Sequence, residues 1–166
     1  DSLSGGDGDD TLLGSTGNDT LAGGGQVFYD WADYSASSAA VTVNLVTGTA
    51  SGDGSDTLSQ IEGVIGSPHN DLITGSNASL ETFRPAAGND TVNAGGGDDL
   101  LRFDASSSAV TVVFTAPGTG TASGQGDDVF TGVEAIVGSS GNDTVVGSSG
   151  EELLRGNAGN DSLDGG

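Results

Sequence analysis

The chain has 166 residues, 31 of them glycine, and sets three arginines against 24 carboxylates for a formal net charge of −21. That charge repels polyanions and so excludes nucleic acid and anionic membrane surfaces as partners, and the lack of cysteine and lysine excludes disulfides, thiolate metal sites, thiol nucleophiles and Schiff-base chemistry. No apolar run approaches the length of a membrane span, and a chain this acidic and this poor in aromatics stays disordered unless some device orders it.

An internal repeat is the candidate device. After the tail DSLS, the chain reads GGDGDDTLL (5–13) and GSTGNDTLA (14–22). The same phase returns in GSPHNDLIT (66–74), PAAGNDTVN (85–93), AGGGDDLLR (94–102), GSSGNDTVV (138–146), GSSGEELLR (147–155) and GNAGNDSLD (156–164). The fourth place of each unit is usually glycine, the sixth an acid, and the eighth a large apolar residue: Leu12, Leu21, Ile73, Val92, Leu101, Val145, Leu154 and Leu163. A period of nine fits neither the 3.6 of a helix nor an extended amphipathic strand. Six turn-forming residues followed by three extended ones describe a chain that runs briefly as a strand, reverses and runs back. Two units then close one coil, so that units 18 residues apart stack on one side, at about 4.8 Å. Calcium takes oxygen ligands at about 2.3–2.6 Å, so an ion midway between two stacked turns can touch carboxylates and carbonyls of both. Its binding would neutralise repulsion between the turns and become folding energy.

GGDGDDTLL satisfies every defined place of the pattern GGxGxDxUx, with U a large apolar residue. The chain resembles the RTX, or hemolysin-type, calcium-binding nonapeptide-repeat family. The resemblance implies an all-β fold, a right-handed parallel β-roll, that holds several calcium ions. It also implies a secreted bacterial protein exported unfolded by type I secretion, as many members are, and folding in extracellular calcium. Carried over place by place, it implies side-chain ligands at Asp10, Asp19, Asp71, Asp90, Asp99, Asp143 and Asp161, with Glu152 in the same slot. Carbonyl donors are implied at Gly5, Gly6, Gly8, Gly14, Gly17, Gly66, Gly88, Gly97, Gly141, Gly150 and Gly159.

Two stretches depart from the nonapeptide and resemble each other, aligning at an offset of 69 residues at Val41 and Val110 and 72 at Ile61 and Val133. Val41, Val43 and Leu45 alternate with polar residues and predict a strand longer than those of the roll. Each copy ends in a nonapeptide-like unit, SGDGSDTLS or SGQGDDVFT, which puts Asp56 and Asp128 at the sixth place; Glu62 and Glu134 reach it by counting back from Gly66 and Gly138. The organisation expected is one domain over 1–166, with roll at 1–33, 66–102 and 138–166 and inserts at 34–65 and 103–137. Because the chain starts in mid-repeat, it is expected to be part of a longer exported protein.

Irregular places weaken particular sites. The unit after Gly23 is lost, so the Asp10 turn lacks a recognisable partner, with Asp30 and Asp33 the nearest acids. Ser79, Leu80 and Glu81 compete for the sixth place of GSNASLETFR, which carries an extra residue, and His69 replaces a glycine. The lone His69 with nearby serines and aspartates lacks an oxyanion hole or nucleophile elbow, so no enzyme is expected here. Tyr29, Trp31 and Tyr34 are expected to cover the end of the interrupted roll. Two functions fit: a calcium-folded module of a secreted protein, or an adhesin-like, ice-binding or carbohydrate-binding surface built on the same roll, with an extracellular surface or polysaccharide as ligand. A regular ice-binding face made of Thr and Asn at the third and fifth places is not expected, since only Thr16 and Asn18 fit.

Overall fold

The eighth-place residues turn inward, and their burial sets the architecture. In the computed structural model, which describes residues 1–166, nineteen short strands form a twelve-stranded and a seven-stranded sheet. There is no helix, and so none long and apolar enough to cross a membrane. Consecutive nonapeptides fall in alternate sheets: Thr144–Val146 and Ser162–Asp164 pair in the larger, while Leu153–Arg155 lies in the smaller beside Ala135–Val137. The fold is therefore a parallel β-roll in which two units make one coil. The stacked partners are Thr144 with Ser162, Ala135 with Leu153 and Ser2 with Thr20.

Strand triplets run outward, inward, outward because side chains alternate across a sheet. Leu21, Ile73, Leu101 and Val145 are fully buried at eighth places, and with Phe83, Phe103 and Phe130 they belong to one cluster of 24 core residues. Burying each such side chain stabilises the fold by about 1.5–3 kcal/mol. Leu154 is only partly buried and Leu163, in an outermost strand, is 45% exposed.

Both inserts build antiparallel meanders into the larger sheet. In the first, Thr42–Asn44, Thr49–Ser51 and Ser55–Ser59 pair in succession; in the second, Thr111–Ala116, Thr119–Ser123 and Asp127–Thr131 do the same. Phe114 and Phe130 meet edge to face at 5.1 Å inside the second. The meander ends rejoin the parallel stack, since Asn44 pairs with Thr74 and Thr111 with Thr144.

Glycine is required at two kinds of place in the turns. Gly8 and Gly88, both at the fourth place, sit at φ +122, a region that strains any side chain. At the first place the reason is close approach: a Cβ on Gly5 would lie 2.5 Å from Asp10 Oδ2 and 2.6 Å from the Gly23 carbonyl oxygen. Those two oxygens, one from the same turn and one from the next coil, crowd over the same Cα.

Candidate metal centre

Because every sixth-place acid directly precedes, or in the inserts lies within, a short strand, stacking of the strands stacks the acids. They form two ladders, one along each edge of the roll. Beside the larger sheet, the Asp19 N–H donates to Asp56 Oδ1 at 3.0 Å, Asp71 to Asp90 at 2.8 Å, Asp90 to Asp128 at 3.0 Å and Asp143 to Asp161 at 2.9 Å. Beside the smaller sheet, Asp10 N–H donates to Asp30 Oδ1 at 2.8 Å, Asp30 to Glu62 at 3.2 Å, Glu81 to Asp99 at 2.8 Å and Asp99 to Glu134 at 2.9 Å. One carboxylate oxygen of each accepting residue is thus spent on the preceding coil.

The second oxygen is often left without a partner. Asp10, Asp19, Asp30, Asp90 and Asp99 each bury an Oδ2 that accepts no hydrogen bond, although Asp30 and Asp99 are wholly buried and Asp90 is 1% exposed. A buried carboxylate oxygen with no donor carries an uncompensated desolvation cost. Burial accordingly pushes Asp90 and Asp99 up to about 7, and repulsion adds to it, from Asp128 and Asp71 in the first case and mainly from Glu81 and Glu134 in the second. Burial also takes Asp128 to about 6 and raises Asp71 and Glu62. Calcium fits this donor set: hard oxygen ligands, negative charge without a counter-ion, and carbonyls crowded beside the orphaned oxygens. No three carboxylate or imidazole side chains converge on one point, so an ion here would complete its shell from backbone carbonyls such as those over Gly5.

Several expectations are corrected. The Asp10 turn has a partner: Thr11 pairs with Trp31, so the irregular segment, with two residues more than the usual 18, delivers Asp30 into the sixth-place slot 20 residues after Asp10. The missing glycine pattern hid it, and only its place just before Trp31 in the strand signalled its role. Of the three residues competing in the lengthened turn, Glu81 takes the slot and is 1% exposed. Trp31 does not cover the roll's end. It lies on the smaller sheet over Gly63, where a Cβ would meet its ring at 2.5 Å, with the Arg84 guanidinium 4.8 Å from the ring centroid. Tyr34 is buried in the core and donates its hydroxyl to Asp56 Oδ2 at 3.2 Å. At the matching place of the second insert stands Phe103, so no hydroxyl reaches Asp128 from there.

Asp30→Ala is expected to cost about 1–3 kcal/mol in the calcium-loaded state, because it strands the partly buried Asp10 N–H. Thermal unfolding at fixed calcium measures it, and an unchanged midpoint would remove Asp30 from the ladder.

A family model of the RTX calcium-binding nonapeptide repeat matches the chain in four copies, over residues 1–26, 86–106 and 137–166. The chain carries RTX calcium-binding repeats. A search of the curated proteins finds no match. The RTX repeat is a structural calcium-binding module rather than a catalytic one. The matched residues cover most of the regular runs and pass over 27–85 and 107–136, where both meanders and the ladder acids Asp30, Asp56, Glu62, Asp71, Glu81, Asp128 and Glu134 stand.

Proposed function

We propose that this chain is a calcium-folded module of a secreted bacterial protein, without catalytic activity of its own, that orders, stabilises and spaces the longer chain to which it belongs. The observation that carries this reading is the set of buried, unpartnered carboxylate oxygens at sixth places of stacked turns. The sixth-place acids would hold calcium together with turn carbonyls. The runs 1–33, 66–102 and 138–166 form the roll, while inserts 34–65 and 103–137 lengthen the larger sheet and add Asp56, Glu62, Asp128 and Glu134 to the ladders. Bound calcium supplies positive charge and oxygen coordination where the chain offers only unpaired carboxylates. The chain's own part is to fix the oxygens in register and exclude water from them. Titration of the chelator-stripped chain with calcium chloride is expected to show uptake of several ions with a rising thermal midpoint; a titration without uptake would sink the proposal.

A second reading, a binding surface, is favoured by one observation. The outward face of the larger sheet carries a register-matched row, Thr20, Thr57, Thr49, Asn44, Thr74, Asn93 and Thr131, across neighbouring strands. In a chain of net charge −21 this row has no charged member. It suits an uncharged, hydroxylated ligand such as a polysaccharide. Co-sedimentation with insoluble polysaccharide in calcium should then be lost in Thr57→Glu and Thr131→Glu; no sedimentation of the parent chain removes this reading.

A further inference from the structure

The turns of the repeat units that start at Gly5, Gly14, Gly66, Gly75, Pro85, Ala94, Gly138, Gly147 and Gly156 come in two conformations, and the acid that precedes the strand fares differently in each. In the open form the second and fourth places are left-handed: Gly6 and Gly8 at φ +104 and +122, Ala86 and Gly88 at +73 and +122, Gly95 and Gly97 at +103 and +144. The acids of these turns, Asp10, Asp90 and Asp99, are among those with an unpartnered Oδ2. In the closed form neither place is left-handed, and a serine at the second place grips the carboxylate. The Ser139 Oγ donates to Asp143 Oδ1 at 2.6 Å, its N–H to Asp143 Oδ2 at 2.6 Å, and the Gly141 N–H donates back to Ser139 Oγ at 2.9 Å. Ser67 repeats this on Asp71, with His69 N–H as the third donor at 3.1 Å. Ser76 grips Glu81 and Ser148 grips Glu152 with the same three bonds.

The closed form accounts for His69. With Ser67 Oγ accepting its N–H, the fourth place leaves the left-handed region and glycine is no longer needed. A serine alone does not close the turn: Ser15 stands at the same place at φ +66 and leaves Asp19 Oδ2 without a partner. Backbone conformation and hydroxyl act together.

We propose that calcium enters only the open turns and that in the four closed turns a serine clamp takes the ion's place, so that these turns hold their shape without metal. The inference rests on the reading of the roll as a calcium module and narrows its ligands. The open turns, those with Ser15 and Gly17 and with Asn157 and Gly159 included, give Asp10, Asp19, Asp90, Asp99 and Asp161 to calcium, whereas Asp71, Glu81, Asp143 and Glu152 belong to serine. Physically, the clamp places two neutral donors on each gripped carboxylate, and its oxygens no longer need a cation to offset their burial.

The test is equilibrium dialysis of the full chain against calcium chloride, with bound calcium counted by atomic emission and folding in calcium verified by circular dichroism. Asp90→Asn is expected to lose a calcium equivalent, while Asp143→Asn keeps the parent's equivalents. Ser139→Gly, which frees the carboxylate and permits the left-handed backbone, is expected to gain one. Loss of calcium in Asp143→Asn equal to that in Asp90→Asn, or no gain in Ser139→Gly, overturns the clamp while leaving the calcium module standing. If the parent chain takes up no calcium, the module reading falls and the clamp with it.

Discussion

Stripping calcium with a chelator is expected to abolish most of the β-sheet circular dichroism of this chain, and millimolar calcium to restore it cooperatively. The reason lies in the balance of forces along the ladders. Each coil buries few apolar side chains, yet it stacks carboxylates such as Asp71, Asp90 and Asp128 on consecutive levels in a chain of net charge −21. Without a cation, the unpartnered oxygens of Asp19, Asp30, Asp90 and Asp99 carry desolvation costs of about 1–3 kcal/mol each, more if charged. Several such costs are comparable with the whole stability of a domain, about 5–15 kcal/mol. Magnesium is expected to substitute poorly, since it demands small octahedral sites and gives up its water reluctantly. A chelated sample with the same cooperative β-signal as the calcium-loaded one would defeat this account of the fold.

The residual structure of the chelated chain is expected to be more stable at pH 5 than at pH 8. Burial raises Asp90 and Asp99 to about 7 and Asp128 to about 6, whereas an unfolded aspartate titrates near about 3.9. Between those values the folded ladder holds protons that the unfolded chain has released. The stability this contributes is fully present below about pH 4 and is lost as pH rises through about 7, because the slope of unfolding free energy with pH is negative wherever the native state binds more protons. Calcium reverses the trend, since its ligands must give up those protons, so affinity for the ion rises over the same interval. Thermal midpoints from pH 5 to 8, with chelator and with saturating calcium, decide the matter; a chelated midpoint that is flat or climbs with pH would mean that the ladder carboxylates are solvated.

Much of this molecule was legible in the order of its residues. The nine-residue phase, the inward eighth place at Leu21, Ile73 and Val145, and the sixth-place acids follow from local rules repeated in phase: a turn that needs a left-handed place, a strand that alternates its side chains, and a period that returns each acid to the same edge. Stacking at 18 residues followed from the same arithmetic, and Asp143 does meet Asp161 across it.

What only the tertiary structure decided lies where the repeat breaks. Asp30 enters the ladder because Trp31 is held beside Thr11 by strand pairing, and pairing registers a residue by its neighbours in space whatever the length of the loop before it. Glu81 wins its slot by the same constraint, its longer side chain spanning a turn enlarged by one residue. The grip of Ser139 on Asp143, absent between Ser15 and Asp19 although both segments begin Gly-Ser, depends on backbone torsions that the packed coils impose. Likewise Tyr34 reaches Asp56 while Phe103 leaves Asp128 without a hydroxyl, a difference of one oxygen whose meaning appears only when insert and ladder, distant along the chain, are folded together.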